Sequence, residues 1–552
     1  MRGGCTVATT AAAGAAAAAA AAVAAACGLG LAAAAAAEGG APLPGGVPTP
    51  DSAPVAPLPL EELRFEGGFP VPETVEGAYR TMDLARAVTA YLDFIPAASA
   101  GALAGALPAP GGVAITETLM HADPLFLTAN TDTVYAISAA DLRRGPLVVE
   151  VPPRSGPGLV NDGYFRHVLD MGSTGPDMGK GGKYLLLPPL TDVIDKNETF
   201  EGNTSVGQVE AALITDFQVA EGLQVVEYAG ETLFAARSRC FSNLIALRGF
   251  TSEDGSPDGT VDVFKRGFKV YPLSELGAPP EMRFEDISTA AMNTIHASDA
   301  TFFEEVHALI QDEPASCFGP ELLGLLAALG IEQGRPFPPS KDIRETLDQA
   351  AAIGNAAARS LTFAPRGAES YVYGPDSVWY TLFPGGSYRW LTPEGARDPD
   401  SRAAFFFGAT FVTPFMSQQF VGKGSQYLVA ARDSGGDWLQ GNRSYVLTLP
   451  PDIPAEDFWS VTVYDAQTRS LLQSPQEFPS LSSKRGGLEE NPDGSFDLFF
   501  GPAPPPGAPV GNWVQTDPHG SFFLILRLYG PGARYFDGTW RPDEPLNTTP
   551  SP

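Results

Sequence analysis

Histidine is scarce in this chain: five residues in 552, at positions 121, 167, 296, 307 and 519. No two stand two or four apart and no Cys-x-x-Cys occurs, so no continuous segment offers the ligand spacing of a transition-metal centre. A centre assembled from distant segments lies outside that test. The chain also lacks a Gly-x-Ser-x-Gly elbow; Gly386-Ser-Tyr and Gly424-Ser-Gln fall short of it. That removes one route to a serine hydrolase and leaves triads of other order open. Positive charge is short too. Lys and Arg number 35 against 64 Asp and Glu, for a net charge of −29. This balance argues against a nucleic-acid backbone, which needs clustered Lys and Arg, and against an anionic membrane surface. It reads as solubility in a salty medium. Past residue 37 no stretch reaches the about eighteen apolar residues of a membrane span, so the remainder is expected to be soluble. No internal repeat of fixed period is present.

Proline and glycine are plentiful, at 52 and 60 residues, which suits short strands and turns better than a helical array. Residues 1–37 are nearly pure alanine with Arg2 as the only charge. A basic start, an apolar run and small residues before Glu38 read as a secretory signal cleaved near Ala37. Lipoprotein (Ala-Ala-Ala-Cys27) and signal-anchor versions stay open. Residues 38–72 read as a disordered Pro/Gly/Ala linker. Val75, Tyr79, Met82, Tyr91 and Ile95 predict an amphipathic helix over 73–95, stopped by Pro96.

Residues 73–272 read as a β module of short strands, with Gln224–Tyr228 as one strand and Ser205–Ile214 ambiguous. Residues 273–365 read as a helical bridge. Phe302, Phe303, Val306, Leu309 and Ile310 recur at helical spacing after Ser298-Asp299 and stop at Pro314. Leu322, Leu323, Leu326 and Leu329 trace a second helix ended by Gly330, and Ile343, Leu347, Ala350, Ala351, Ala358 and Leu361 trace a third. Residues 366–545 return to strands. From Phe458 to Tyr464, Trp459, Val461 and Val463 share one face while Ser460, Thr462 and Tyr464 share the other. Asn491-Pro-Asp-Gly-Ser495 turns into Phe496–Phe500, and Phe522, Leu524, Leu526 and Leu528 stack along the next strand. The expected fold class is mainly β (α+β), with two β-sandwich or jelly-roll-like modules joined by a helical bridge.

Several of these segments carry a resemblance. FWSVTVYDAQTRSLLQ from Phe458, NPDGSFDLFFGP, NWVQTDPHGSFFLILRLYGP and FDGTWRP are similar to the signature of domain-of-unknown-function family 1214. LTANTDTVYAISAADLRRGPLVVEVPP (Leu127–Pro153) and GYFRHVLDMGSTGPDMGKGGKYLLLPP (Gly163–Pro189) resemble family 1254, a module that usually precedes it. The resemblance implies two β-rich modules joined by helices. It implies no settled reaction.

Five places offer chemistry. Asn130-Thr-Asp-Thr-Val-Tyr135 packs an amide, a carboxylate, hydroxyls and a phenol into six residues. Asp132 is a candidate general base or ligand-orienting carboxylate, with Asn130 and Tyr135 as ligand contacts; a local turn is the competing reading. Arg166 is a candidate ligand contact, or the ion-pair partner of Asp170 on one strand face with His167 on the other. Gly172–Lys183 lacks Walker spacing and reads as a hairpin loop, with an anion cradle using Lys180 or Lys183 as the lesser reading. His296, just before a helix, is a candidate acid/base group with Asp299 beside it; capping explains Asp299 equally well. At the end of the central strand, Asp465 is a further catalytic candidate and Arg469 a ligand contact, or both clamp a loop.

Together these features point to a secreted two-module protein that binds an extracellular ligand or surface polymer, with no cofactor called for. Trp379, Tyr388 and Trp390 are candidates for stacking on sugars, although core positions are commoner for such residues. The alternative is a hydrolase of glycoconjugate or ester/amide substrates. It would draw Asp132, His296 and Asp465 together in a cleft between the modules. Nucleic acid and a membrane span are not expected as partners, and homo-oligomerisation stays open. Asn197, Asn203, Asn442 and Asn547 begin glycosylation sequons if the source is a eukaryote. Cys240 and Cys317 remain past the signal, and the sequence does not say whether they pair.

Overall fold

Side chains alternate along a strand, so the last long strands each present two different faces, and both are buried. A computed structural model describes residues 63–190, 223–337 and 340–549. In it Ala455–Asp465 and Phe522–Pro531 pair antiparallel at the centre of a four-stranded sheet, flanked by Ser425–Ala430 and Ser480–Ser482. Trp459, Val461, Val463, Phe522, Leu524, Leu526 and Leu528 all turn to one side. There they pack with Tyr445, Leu447 and Leu498 from a second four-stranded sheet. This is the C-terminal sandwich. The opposite face of Phe522–Pro531 carries Phe523, Ile525, Arg527 and Tyr529, all buried as well.

The N-terminal module is a second sandwich. A six-stranded sheet runs in the order Arg283–Asp286, Gly112–Ile115, Thr133–Asp141, Ser242–Phe250, Pro157–Asp162, His167–Gly172. It packs against a five-stranded sheet through Val134, Ala136, Val149, Tyr184, Leu186, Ile245 and Leu247. The other face of the six-stranded sheet presents Tyr135, Ile137, Leu244 and Ala246. These join a core shared with helices Pro72–Ala106, Thr301–Asp312, Pro320–Ala327, Lys341–Phe363 and Pro399–Gly408 and with Tyr464, Phe523 and Ile525 of the C-terminal sheet. The fold is therefore mainly β, of α+β type, with one helical core touching a face of each sandwich.

The first helix departs from expectation. It does not stop at Pro96 but runs from Pro72 to Ala106 with Pro96 buried inside it. Proline removes one helical hydrogen bond. Burial of Tyr91, Phe94, Ile95, Ala97 and Ala98 around it and the alanine-rich sequence beyond it outweigh that loss. By length and composition the helix could cross a membrane, but 61% of its apolar window is buried inside the protein. Gly354 explains the close contact with Lys341–Phe363, since a Cβ there would lie 2.5 Å from the Tyr91 ring. The end of the supposed linker is ordered: Phe65–Glu66 and Phe69–Pro70 form a small hairpin.

One further expectation changes, and two open readings are decided. Gly172–Lys183 does not close a hairpin, because the strands on either side of it, His167–Gly172 and Gly182–Leu187, belong to different sheets. Lys183 instead forms ion pairs with Glu231 at 2.8 Å and Glu150 at 3.7 Å. Trp379 and Trp390 are core residues, 0% and 3% exposed, and Tyr388 is half-buried. Cys240 and Cys317 form a disulfide. The signal segment, Ser205–Ile214, Asn197 and Asn203 lie outside the described residues.

Candidate functional site

Each sandwich turns one cross-strand arginine–tyrosine pair toward the other. In the N-terminal six-stranded sheet Arg248 stands opposite Tyr135, with its guanidinium carbon 5.1 Å from the ring centre. In the C-terminal sheet Arg527 stands opposite Tyr427, 5.8 Å from that ring and 5.4 Å from the ring of Tyr464. Opposed residues on neighbouring strands are the natural unit of side-chain contact in a sheet, and here two such units meet. Tyr427 and Tyr529 of the C-terminal sheet lie beside Arg248 of the N-terminal one.

The segment Thr128–Thr133 ties the two sheets together. Arg527 Nη2 donates to the Thr128 carbonyl at 2.9 Å, and the Tyr464 hydroxyl donates to the Ala129 carbonyl at 2.5 Å. Asn130 N–H donates to the Tyr135 hydroxyl at 3.2 Å. The Asn130 side-chain oxygen accepts from the N–H groups of Asp132 and Thr133 and from the Thr133 hydroxyl. The turn role weighed for this motif is real, and it sits at the site.

The charge balance of the cluster is uneven. Among the described residues neither Arg248 nor Arg527 forms an ion pair with a carboxylate, while Asp132 pairs with Arg485 at 3.9 Å. Arg527 Nη1, the Tyr529 hydroxyl and both Asp132 carboxylate oxygens are buried without a hydrogen-bond partner. Burial pushes the phenols of Tyr464 and Tyr529 well above the ordinary tyrosine range, against the lowering effect of Arg527. Both are therefore neutral at pH 7; the Tyr464 hydroxyl donates to Ala129, and that of Tyr529 is left to donate.

Two cavities adjoin the cluster. The inner one offers about 70 Å³ to the centre of a water-sized sphere. Asn130, Tyr135, Arg248, Tyr427 and Arg527 line it together with apolar side chains that include Phe126, Phe363, Phe405, Phe523 and Ile525. The outer one offers about 290 Å³ by the same measure and shares Arg248 and Met416 with the inner. The one cluster of Cys and Glu with metal-ligand spacing among the described residues has its groups otherwise engaged. Cys240 and Cys317 are bonded to each other, and Glu313 accepts the N–H groups of Phe241 and Ser242 at 2.7 and 2.8 Å.

Comparison with known families decides what the two halves of this site are. Residues 112–272 match the model of a protein of unknown function, DUF1254, and residues 424–533 match that of a second, DUF1214. The chain carries a DUF1254 domain followed by a DUF1214 domain. Among solved structures, the VPA0106 protein from Vibrio parahaemolyticus is similar over 85% of this chain and 100% of that one, at 16% identity and a TM-score of 0.47. An uncharacterized protein from Burkholderia cenocepacia is similar over 87% of this chain and 97% of that one, at 12% identity and a TM-score of 0.34. No curated protein matches the chain.

The DUF1254 segment supplies Asn130, Asp132, Tyr135 and Arg248, and the DUF1214 segment supplies Tyr427 and Arg527. The other expected site residues lie elsewhere. Arg166 does not pair with Asp170. The chain reverses at Phe165, whose φ is 50°, so Arg166 curls back onto Asp162 at 2.7 Å and donates to the Cys317 carbonyl at 2.5 Å. Asp170 instead meets His167 at 3.2 Å and accepts from the Thr413 hydroxyl at 2.5 Å.

Asp132, His296 and Asp465 are not drawn together either. His296 is 2% exposed, with Nδ1 2.8 Å from the Ala297 carbonyl and its ring packed on Phe302 and Phe407. Burial pulls its pKa to about 4, and Arg469 adds to that while the Ala297 contact opposes it. Arg469 is buried too, donating to the Phe407 and Gln467 carbonyls at 3.2 and 2.6 Å; burial and nearby Arg359 bring it down to about 9. Asp465 accepts the N–H groups of Gln467 and Thr468 at 2.7 and 2.6 Å, which is a loop clamp. Asp299 is exposed and accepts from Thr301 N–H at 2.9 Å, a turn contact just ahead of the helix, whose cap position is Ala300 and has no side-chain bond. His296 and Asp465 both lie beside Arg469, whose backbone carbonyl accepts the Thr128 N–H at 2.9 Å, at the start of the segment that carries Asp132.

Proposed function

We propose that the protein binds a small organic anion with an apolar body, held where the DUF1254 and DUF1214 sheets and the helical core meet. The observation that carries this reading is the pair of arginines, Arg248 and Arg527, lining a mostly apolar cavity without a carboxylate partner. Taking a guanidinium out of water costs on the order of several kcal/mol unless a counter-charge is supplied. In a chain of net charge −29, two such groups facing one cavity are a specific provision for an anion. A carboxylate or phosphate would meet them through charge-assisted hydrogen bonds, with its apolar part along Phe126, Phe405 and Phe523. A cavity as small as this, about 70 Å³, suits a small molecule better than a polymer chain. The hydrolase reading gains no support from the placement of His296 and Asp465. Secretion remains part of the proposal, and the Cys240–Cys317 disulfide is consistent with an oxidising compartment.

Titration calorimetry with hexanoate, hexanol and hexylamine tests the reading. Hexanoate should bind and the other two should not. Arg248→Gln should weaken hexanoate at least about tenfold, equivalent to ~1.4 kcal/mol. Equal binding of hexanol, or an unaffected Arg248→Gln, would contradict it.

A further inference from the structure

Four arginines gather around Tyr164, and none of them lines either cavity. Arg402 lies over the Tyr164 ring at 4.2 Å and Arg166 at 5.4 Å. Arg397 Nη1 donates to the Arg389 carbonyl at 2.6 Å, which ties those two to each other. Arg397 is exposed and the other three are half-buried, so the patch opens to solvent. Counter-charge is short there. Asp162 pairs with Arg166 at 2.7 Å. Asp93 is near enough to Arg402 to feel its charge, although burial raises the Asp93 carboxyl against it. Among the described residues Arg389, Arg397 and Arg402 form no ion pair. Of the carboxylates close by in sequence, Asp398 caps the helix Pro399–Gly408 through Ser401 N–H at 3.1 Å, Asp400 pairs with Arg366, and Glu394 pairs with none of the four. Partial desolvation and the charges of Arg402, Arg166 and Arg389 hold the Arg397 guanidinium below the ordinary arginine range, against Tyr164. Like charges held together cost energy that a bound anion relieves. In a chain with 64 acidic and 35 basic residues, four arginines answered by two carboxylates are a local reversal of charge. A carboxylate offers two oxygens in one plane. A sulfate or phosphate ester offers three and meets guanidinium forks from several sides.

We infer that the arginine cluster around Tyr164 is a second ligand site, open to solvent, for a molecule that carries several sulfate or phosphate esters. Arg389, Arg397 and Arg402 hold the ester oxygens, and Arg166, fixed by Asp162, adds its charge beside them. This site is separate from the anion cavity and does not depend on it.

Calorimetry on the full chain at low salt tests it with sucrose octasulfate, inositol hexakisphosphate and the hexacarboxylate mellitate. The net charge of −29 repels all three elsewhere on the surface, so binding reports this patch. At least one of the two esters should bind about tenfold tighter than mellitate, a difference of ~1.4 kcal/mol. Which ester does so tells a sulfated ligand from a phosphorylated one. The Arg389 guanidinium makes no hydrogen bond among the described residues, so Arg389→Gln should keep the melting temperature and weaken that ester. Arg389→Gln combined with Arg397→Gln should weaken it at least about tenfold. Mellitate that binds as tightly as the esters would refute the ligand class. Failure of both esters to bind, or an affinity unchanged in Arg389→Gln and in the double variant, would overturn the site.

Discussion

Arg248 stands directly opposite Tyr135 in the antiparallel pairing of the N-terminal sheet, its guanidinium 5.1 Å from the phenol ring. The same arrangement recurs in the C-terminal sheet with Arg527 and Tyr427. Because the Arg527 guanidinium also holds the Thr128 carbonyl at 2.9 Å, neither module completes the cluster alone. The site is a product of how the two sandwiches are docked.

Arginine burial of this kind has a consequence for stability. Arg527 is 4% exposed and forms no ion pair among the described residues, so Arg527→Met removes a desolvated charge and loses the bond to Thr128. The two effects oppose each other. Unfolding free energy should rise or stay within about 1 kcal/mol, while anion binding is lost. A loss above about 3 kcal/mol in a reversible denaturant melt would mean that the guanidinium is chiefly structural.

The helical core makes a second prediction. Phe303 is 0% exposed and its ring meets that of Tyr91 edge-on at 6.2 Å. Phe303→Ala should cost about 3–5 kcal/mol. A change below about 1 kcal/mol would show that this face does not hold the sandwiches to the helices.

Much of this architecture is legible in the sequence, and the reason is periodicity. The alternation in Phe458–Tyr464 and Ser521–Tyr529, and the helical spacing of Phe302, Phe303 and Val306, are direct records of burial. Asn130, Asp132 and Tyr135 stand out because polar types cluster within six residues. Arg248 and Arg527 were legible only in retrospect, as single arginines on the apolar faces Leu244, Ala246, Arg248 and Phe523, Ile525, Arg527. A lone arginine in a strand usually faces water; here the docked sheets bury Arg527 and half-bury Arg248. Pro96 misled for a related cause, since helix continuation there comes from tertiary packing of Tyr91 and Phe94. The triad of Asp132, His296 and Asp465 failed because residue type alone says nothing about which segments meet.

His296 and the half-buried Glu305 on the helix Thr301–Asp312, whose carboxylate accepts the Ala297 N–H at 3.1 Å, predict a pH profile. Burial raises the Glu305 carboxyl to about 7 from an ordinary 4.5, against the Ala297 N–H and aided by Asp299. Its contribution to stability is full below about 4.5 and is lost as pH rises through about 7. His296 runs the other way: burial lowers it from 6.5 to about 4, so its contribution is present above about 6.5 and lost as pH falls through about 4. Between about 4.5 and 6.5 the two slopes offset each other. Glu305→Gln should leave stability that climbs with pH over that window, and His296→Phe should leave stability that declines. Denaturant melts at several pH values on both variants measure this, and profiles that keep the wild-type shape would refute the assignment.

The central claim is that the cavity takes an anion by its charged end at Arg248 and Arg527. A crystal soaked with 6-bromohexanoate tests it most directly, because anomalous scattering locates the bromine independently of the carboxylate. The account predicts carboxylate oxygens within hydrogen-bond distance of Arg248 and Arg527, at about 2.7–2.9 Å, and bromine among Phe126, Phe405 and Phe523. Bromine at the arginines, or no ligand in the cavity at saturating concentration, would contradict it.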